Sequence, residues 1–150
     1  MGLDMYLSKK TYVKNWAHKK DKHRVVVTTN DQTRLDIKPE RVTFVEEEVM
    51  YWRKMNAVHA WFVENVQDGI DECQESRVTI EQLDTLATIC EKVIRDKNPE
   101  LLPLQAGFFF GSTDYDDWYW ERIEQTAKVL REEIRNNQEE YPDYFYQASW

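Results

Sequence analysis

Val42-Thr-Phe-Val-Glu-Glu-Glu-Val-Met-Tyr-Trp-Arg-Lys-Met-Asn-Ala-Val-His-Ala-Trp-Phe-Val-Glu-Asn-Val66 supports two readings, and the fold depends on which is taken. Its opening, Val42-Thr-Phe-Val45, has the β-branched and aromatic character of a strand. Yet Val42, Val45, Val49, Trp52, Asn56, His59, Val63 and Val66 are spaced by threes and fours, as on one face of a helix. A strand to about Val49 followed by a helix from about Trp52 to Val66 reconciles the two periods. Gly69 then closes the helix, since glycine is favoured just past a C-terminus.

Upstream, Leu3, Met5 and Leu7 alternate with Asp4, Tyr6 and Ser8, the pattern of a half-buried strand. The polar run 14–23 reads as a loop. Arg24-Val-Val-Val-Thr-Thr29 reads as a second strand, Asn30-Asp31 as a turn, and Leu35 with Ile37 as a third strand that Pro39 ends. Downstream, Thr79-Ile-Glu-Gln82 is a capping box. Leu83, Leu86, Ala87, Cys90, Val93 and Ile94 then make an amphipathic helix to about Arg95, stopped by Asn98-Pro99. Thr113 is placed to cap a third helix running to about Asn137. Asp114, Asp116 and Asp117 would sit in its first turn, and Trp120, Ile123, Ala127, Leu130 and Ile134 on its buried face. Past Pro142, Tyr144–Trp150 is strand-like. Strands before and after helices predict an α+β domain spanning 1–150, with a mostly antiparallel sheet packed against about three helices.

Composition narrows the class. Hydrophobic residues make up 41% of the chain, enough for a core, while no apolar run approaches the ~20 residues a bilayer span needs. No charged n-region precedes an apolar stretch, so no signal peptide is expected, and Tyr6 stands where a myristoylation motif after Gly2 wants Ser or Thr. Cys73 and Cys90 lack metal-ligand spacing and are expected to stay reduced in the cytoplasm. Residues 1–41 carry ten Lys/Arg against five Asp/Glu, whereas the remainder carries ten against twenty-three. Lys9, Lys10, Lys14, Lys19, Lys20, Lys22 and Arg24, interleaved with Tyr12, Trp16, His18 and His23, have a nucleic-acid-like composition. The acidic remainder would repel a polyanion, which weighs against nucleic acid as a partner.

Two dense patches carry the candidate chemistry. In Tyr51–Phe62, a helix would put Trp52, Asn56 and His59 on one side, and Arg53 and Lys54 in a first turn where cations need acidic partners, Glu46–Glu48 among them. A free imidazole changes charge near neutrality, which makes His59 the best candidate general base. The second patch, Gly107–Trp120, holds seven aromatic rings in fourteen residues, beside two glycines and three aspartates. It lacks both the Gly-Lys-Ser/Thr ending of a phosphate-binding loop and the dinucleotide fingerprint, so neither cofactor nor metal is expected. Tyr119 and Trp120 continue the buried stripe. Trp118, pointing with Arg122 and Gln125, is surplus to the core, as are Tyr115 and one or two of Phe108–Phe110.

The start Met1-Gly-Leu-Asp-Met-Tyr-Leu7, the block Glu48-Val-Met-Tyr-Trp-Arg-Lys-Met-Asn-Ala-Val-His59, the Gly107-Phe-Phe-Phe-Gly-Ser112 run, Tyr115-Asp116 and the ending Ala-Ser-Trp150 resemble an uncharacterised family of small bacteriophage and prophage proteins. The resemblance covers essentially the whole chain. It implies an accessory role, such as countering a host defence by binding a protein or a signalling nucleotide, and carries over no catalytic residue.

Together these readings give a leading expectation of non-catalytic binding. A small nucleotide-like ligand would enter a pocket built from Tyr51, Trp52, Arg53, Lys54, Asn56, His59, Phe109, Ser112, Tyr115 and Trp118. The alternatives are an acidic inhibitor of a basic host protein, or a small enzyme using His59 with Asp4 or Asp116 as orienter. Surplus aromatics also make a homodimer an expectation.

Overall fold

The computed structural model describes residues 2–18, 25–107 and 111–150. Among the described residues four strands and three α-helices follow one another as β1 (Asp4–Tyr12), β2 (Phe44–Arg53), α1 (Asn56–Asn65), β3 (Ser76–Val78), α2 (Ile80–Asp96), α3 (Asp117–Asn136) and β4 (Asp143–Ser149). The strands form one antiparallel sheet in the order β2-β1-β4-β3, so the fold is α+β. Among the described residues no helix is long and apolar enough to cross a membrane.

The 42–66 stretch resolves in favour of the strand for longer than its helical spacing suggests. β1 pairs with β2 as far as Asp4↔Arg53, placing Met5 opposite Trp52 and Leu7 opposite Met50. Alternation then sends Met5, Leu7, Met50 and Trp52 inward, where all four are buried. The Trp52 indole donates to Thr126 Oγ1 at 2.8 Å, tying β2 to α3. The helix expected from Trp52 therefore starts only at Asn56, because sheet pairing and burial of the indole outweigh the three-four spacing. Lys54, with φ 54°, makes the turn between the two elements, and its N–H donates to Leu3 O at 2.7 Å. The ladder shifts register between Leu7 and Ser8, so Ser8 faces Glu48 and Val49 is the extra residue of a bulge.

The other inward residues are Tyr144, Tyr146 and Ala148 of β4 and Val78 of β3. They join Val58 and Phe62 of α1, Leu83, Leu86 and Cys90 of α2, and Tyr119, Ile123 and Leu130 of α3 in one core. Phe62 stacks on Tyr146 with centroids 3.9 Å apart. Burial raises the Cys90 thiol to about 12, in keeping with its use as a small hydrophobe.

Several local expectations change. The strands expected at 24–29 and around Leu35–Ile37 are not strands among residues 25–37, where a single Thr28–Arg34 bridge is the only ladder contact. Val26, Leu35 and Ile37 stay exposed and Val25 and Val27 are only half-buried, so little apolar burial is there to hold a two-stranded ribbon. Thr79 and Gln82 form the reciprocal capping box as expected. For α3 the cap is Asp116, accepting from Tyr119 N at 3.2 Å, and Thr113 and Asp114 lie before the helix. β3, only three residues long, is too short to carry a periodic signal in the sequence. Trp120 is half-buried rather than core, with Lys97 Nζ 5.5 Å from its ring.

Candidate functional site

Asn56 and His59 lie one turn apart on α1, and both are buried polar groups. Asn56 uses both ends of its amide: Nδ2 donates to Ser112 O at 3.1 Å, and Oδ1 accepts from Gln105 N at 2.7 Å. It thereby fastens two points of the segment between α2 and α3 to the start of α1. Beside it Gly111, at φ 84°, packs on the Lys54 turn so closely that a Cβ there would lie 3.0 Å from Lys54 Cβ and 3.2 Å from its carbonyl oxygen. The 51–59 block and the Gly-Ser run, distant in sequence, thus meet in space. Tyr115 props the same segment from the far side, its hydroxyl accepting from Leu104 N at 3.1 Å.

His59 is 2% exposed and has both ring nitrogens engaged. Nε2 lies 3.0 Å from Asp71 Oδ2, and Nδ1 lies 2.7 Å from the Tyr146 hydroxyl. Since a carboxylate only accepts, the tautomer that completes both contacts carries its proton on Nε2 and accepts from Tyr146 at Nδ1. Asp71 Oδ1 also accepts from the Trp150 indole at 3.0 Å, so one carboxylate joins α1 to the end of β4. Burial, and then the Asp71 charge, hold the Tyr146 hydroxyl well above the ordinary phenol range. The orienting carboxylate of His59 is therefore Asp71, not Asp4 or Asp116. Asp4 is occupied by the Tyr51 hydroxyl and by Arg53, 3.0 Å away, and Asp116 by its cap.

Asn56, His59, Ala60, Val63, Glu64, Gly69, Asp71, Gln105 and Ala106 line a cleft of about 370 Å³. Gly69, at φ 76°, closes α1 by donating to Val63 O at 2.8 Å and so turns the chain towards Asp71. Of the residues expected to form a pocket, Asn56 and His59 line this cleft, while Ser112 and Lys54 touch the segment that walls it. Trp52 is in the core and offers no stacking surface. Tyr51 and Arg53 point to the opposite face of the sheet, bonded to Asp4 rather than to Glu46–Glu48. That bond to a carboxylate raises the Tyr51 hydroxyl. Trp118 is half-buried on α3 with the Arg122 guanidinium 5.9 Å from its ring. Phe109, with Phe108 and Phe110, lies outside the described residues, as do Lys19, Lys20, Lys22, His23 and Arg24.

Asp71, Glu64 and Gln105 were absent from the sequence expectation. Glu64 sits on the polar edge of α1 and Asp71 in an irregular loop, and neither position has a period to mark it. Among the described residues no three His, Cys, Asp or Glu side chains stand together as a metal site. No protein-family model, curated protein or solved structure matches the chain.

Proposed function

We propose that the chain is a non-catalytic binding protein that takes a small, nucleotide-like molecule in the cleft beside Asn56 and His59. The observation that carries this reading is the Asn56 clamp. A buried amide that spends both ends on another segment makes a preformed concavity, and about 370 Å³ lies in the range of small-molecule sites. Around it Gln105, Glu64 and Asp71 offer amide and carboxylate groups suited to the donor edge of a nucleobase. Those same carboxylates disfavour phosphate inside the cleft. Lys54, outside the cleft's lining but packed on Gly111 and in no ion pair among the described residues, would be a cation for a phosphate that extends beyond the cleft. Catalysis by His59 is the weaker reading, because a substrate would have to displace Asp71 or Tyr146 to reach a ring nitrogen. The likeness to phage and prophage proteins supplies a setting, in which sequestering a host signalling nucleotide would blunt a defence.

A thermal-shift screen of nucleosides, nucleotides and cyclic dinucleotides tests this. A ligand at about a hundred times its Kd stabilises by ~2.7 kcal/mol, worth roughly 5–10 °C for a domain of this size. Ala60→Phe, which fills the cleft, should abolish that shift. A panel without a hit overturns the ligand class, and a shift that survives Ala60→Phe overturns the site.

A further inference from the structure

The outward face of the sheet carries more aromatic surface than a merely wetted face needs. Tyr6, Tyr12, Phe44 and Tyr51 are all exposed there, with Phe145 half-buried beside them. Its charges mostly pair off: Arg53 with Asp4 at 3.0 Å, Lys10 with Glu75 at 2.8 Å, and Arg77 with Asp143 at 2.6 Å. Two carboxylates are left over. Glu46 and Glu48 of β2 form no ion pair among the described residues; Glu46 only adds its field at Lys10, which is already bonded to Glu75. Glu46 and Glu48 rim a hollow of about 370 Å³ whose other walls include Tyr6, Ser8, Phe145 and Gln147. The face already shows how it holds a cation, since Lys10 Nζ stands 4.5 Å from the centroid of the Phe145 ring.

We infer that this face docks a Lys/Arg-rich segment of a partner protein, one cationic side chain entering the hollow between Tyr6 and Phe145 against Glu46 and Glu48. Charge selects the occupant. An RNA strand could stack on the same rings, but its phosphates would meet two uncompensated carboxylates. From the described residues of this face a second copy could offer only its own Arg53, Lys10 and Arg77 to Glu46 and Glu48, and these are already held by Asp4, Glu75 and Asp143. A guanidinium finds an aromatic wall and two acceptors at once. This docking face is on the opposite side of the sheet from the core and is independent of the cleft.

The probe is a fluorescent poly-arginine peptide, read by anisotropy and by amide chemical-shift mapping. Glu46→Gln with Glu48→Gln should weaken it about tenfold, and Tyr6→Ala by a few fold. Glu121→Gln with Glu124→Gln, an equal charge change on α3, should leave it unchanged, and shifts should centre on Tyr6, Glu48 and Phe145. Unaltered melting temperatures certify each variant. Equal losses from both glutamine pairs would reduce the binding to bulk charge and overturn the proposal. It also falls if the peptide does not bind, if a single-stranded RNA produces the same shift map, or if sedimentation shows this face buried in a dimer.

Discussion

Replacing His59 and Tyr146 by phenylalanine, singly and together, tests whether the Asp71–His59–Tyr146 chain is a connected unit. His59→Phe keeps a ring of similar shape but orphans the Tyr146 hydroxyl, which is fully buried, and removes the donor to Asp71. An unsatisfied buried hydroxyl costs about 1–3 kcal/mol. Asp71, whose side chain is 26% exposed, can turn to water and so adds about 1 kcal/mol more. The single change should therefore cost about 2–4 kcal/mol. Tyr146→Phe preserves the stack on Phe62 and orphans only His59 Nδ1, for about 1–2 kcal/mol. In the double variant neither orphan remains, since two apolar groups of matching shape face each other. Its cost should be no greater than that of His59→Phe alone, giving a coupling of about 1–2 kcal/mol. Urea unfolding followed by tryptophan fluorescence, with m-values held constant across the set, measures all four corners. Costs that add across the cycle would refute the connected chain, as would a Tyr146→Phe variant as stable as the parent.

Three further outcomes follow from individual residues. The Tyr119, Tyr144 and Tyr146 hydroxyls are all raised above the ordinary value, by burial first in each case. Their contribution is therefore fully present below the unfolded tyrosine value of about 10 and is lost as pH rises beyond it, so alkaline titration should show these phenols ionising together with unfolding. Independent ionisation in folded protein would contradict this. Gly111→Ala should cost about 1–3 kcal/mol in thermal melts, because it combines a positive φ with a clash on Lys54. Gly69→Ala, also at positive φ but in open space, should cost less, and equal losses would dismiss the Lys54 contact. Asp116→Ala should cost about 1 kcal/mol as a lost helix cap, against under ~0.5 for Thr113→Ala, and the reverse order would return the cap to Thr113.

Most of the architecture was legible where a period is long enough to be unambiguous. Met5 and Leu7 (with Leu3 just before the strand), the stripe from Leu83 to Ile94, the face from Ile123 to Leu130 and the strand after Pro142 all lie in the elements their patterns imply. The failures have physical causes. At 42–66 the three-four spacing and the inward alternation share Trp52 but part at Val49 and Met50, and only the partner strand β1 decides between them. Val25–Thr29 has strand propensity but buries no residue fully, so propensity alone could not make it a sheet strand. Asn56 and His59 could be singled out because a polar residue on an apolar face needs a partner. Which partners they take is a long-range matter: Ser112, Gln105, Asp71 and Tyr146 are brought in by the chain's return.

The charge split shows why position in sequence misleads about electrostatics. Net charge is positive over residues 1–41 and strongly negative beyond, which suggests a basic arm beside an acidic body. The sheet dissolves much of that division. β1 lies between β2 and β4, so Lys9 meets Glu139 at 3.3 Å and Lys10 meets Glu75, while Asp4 of the basic half takes Arg53 of the acidic half. These are exposed or half-exposed pairs, worth at most about 1 kcal/mol each, so they contribute little to stability. Their effect is on recognition. By neutralising the lysines of β1 they remove from the sheet the cations a polyanion would need, and they leave Glu46 and Glu48 as the charges still open beside exposed rings. A partner reading this face therefore meets aromatic rings of the basic strand β1 beside open carboxylates of its acidic neighbour β2.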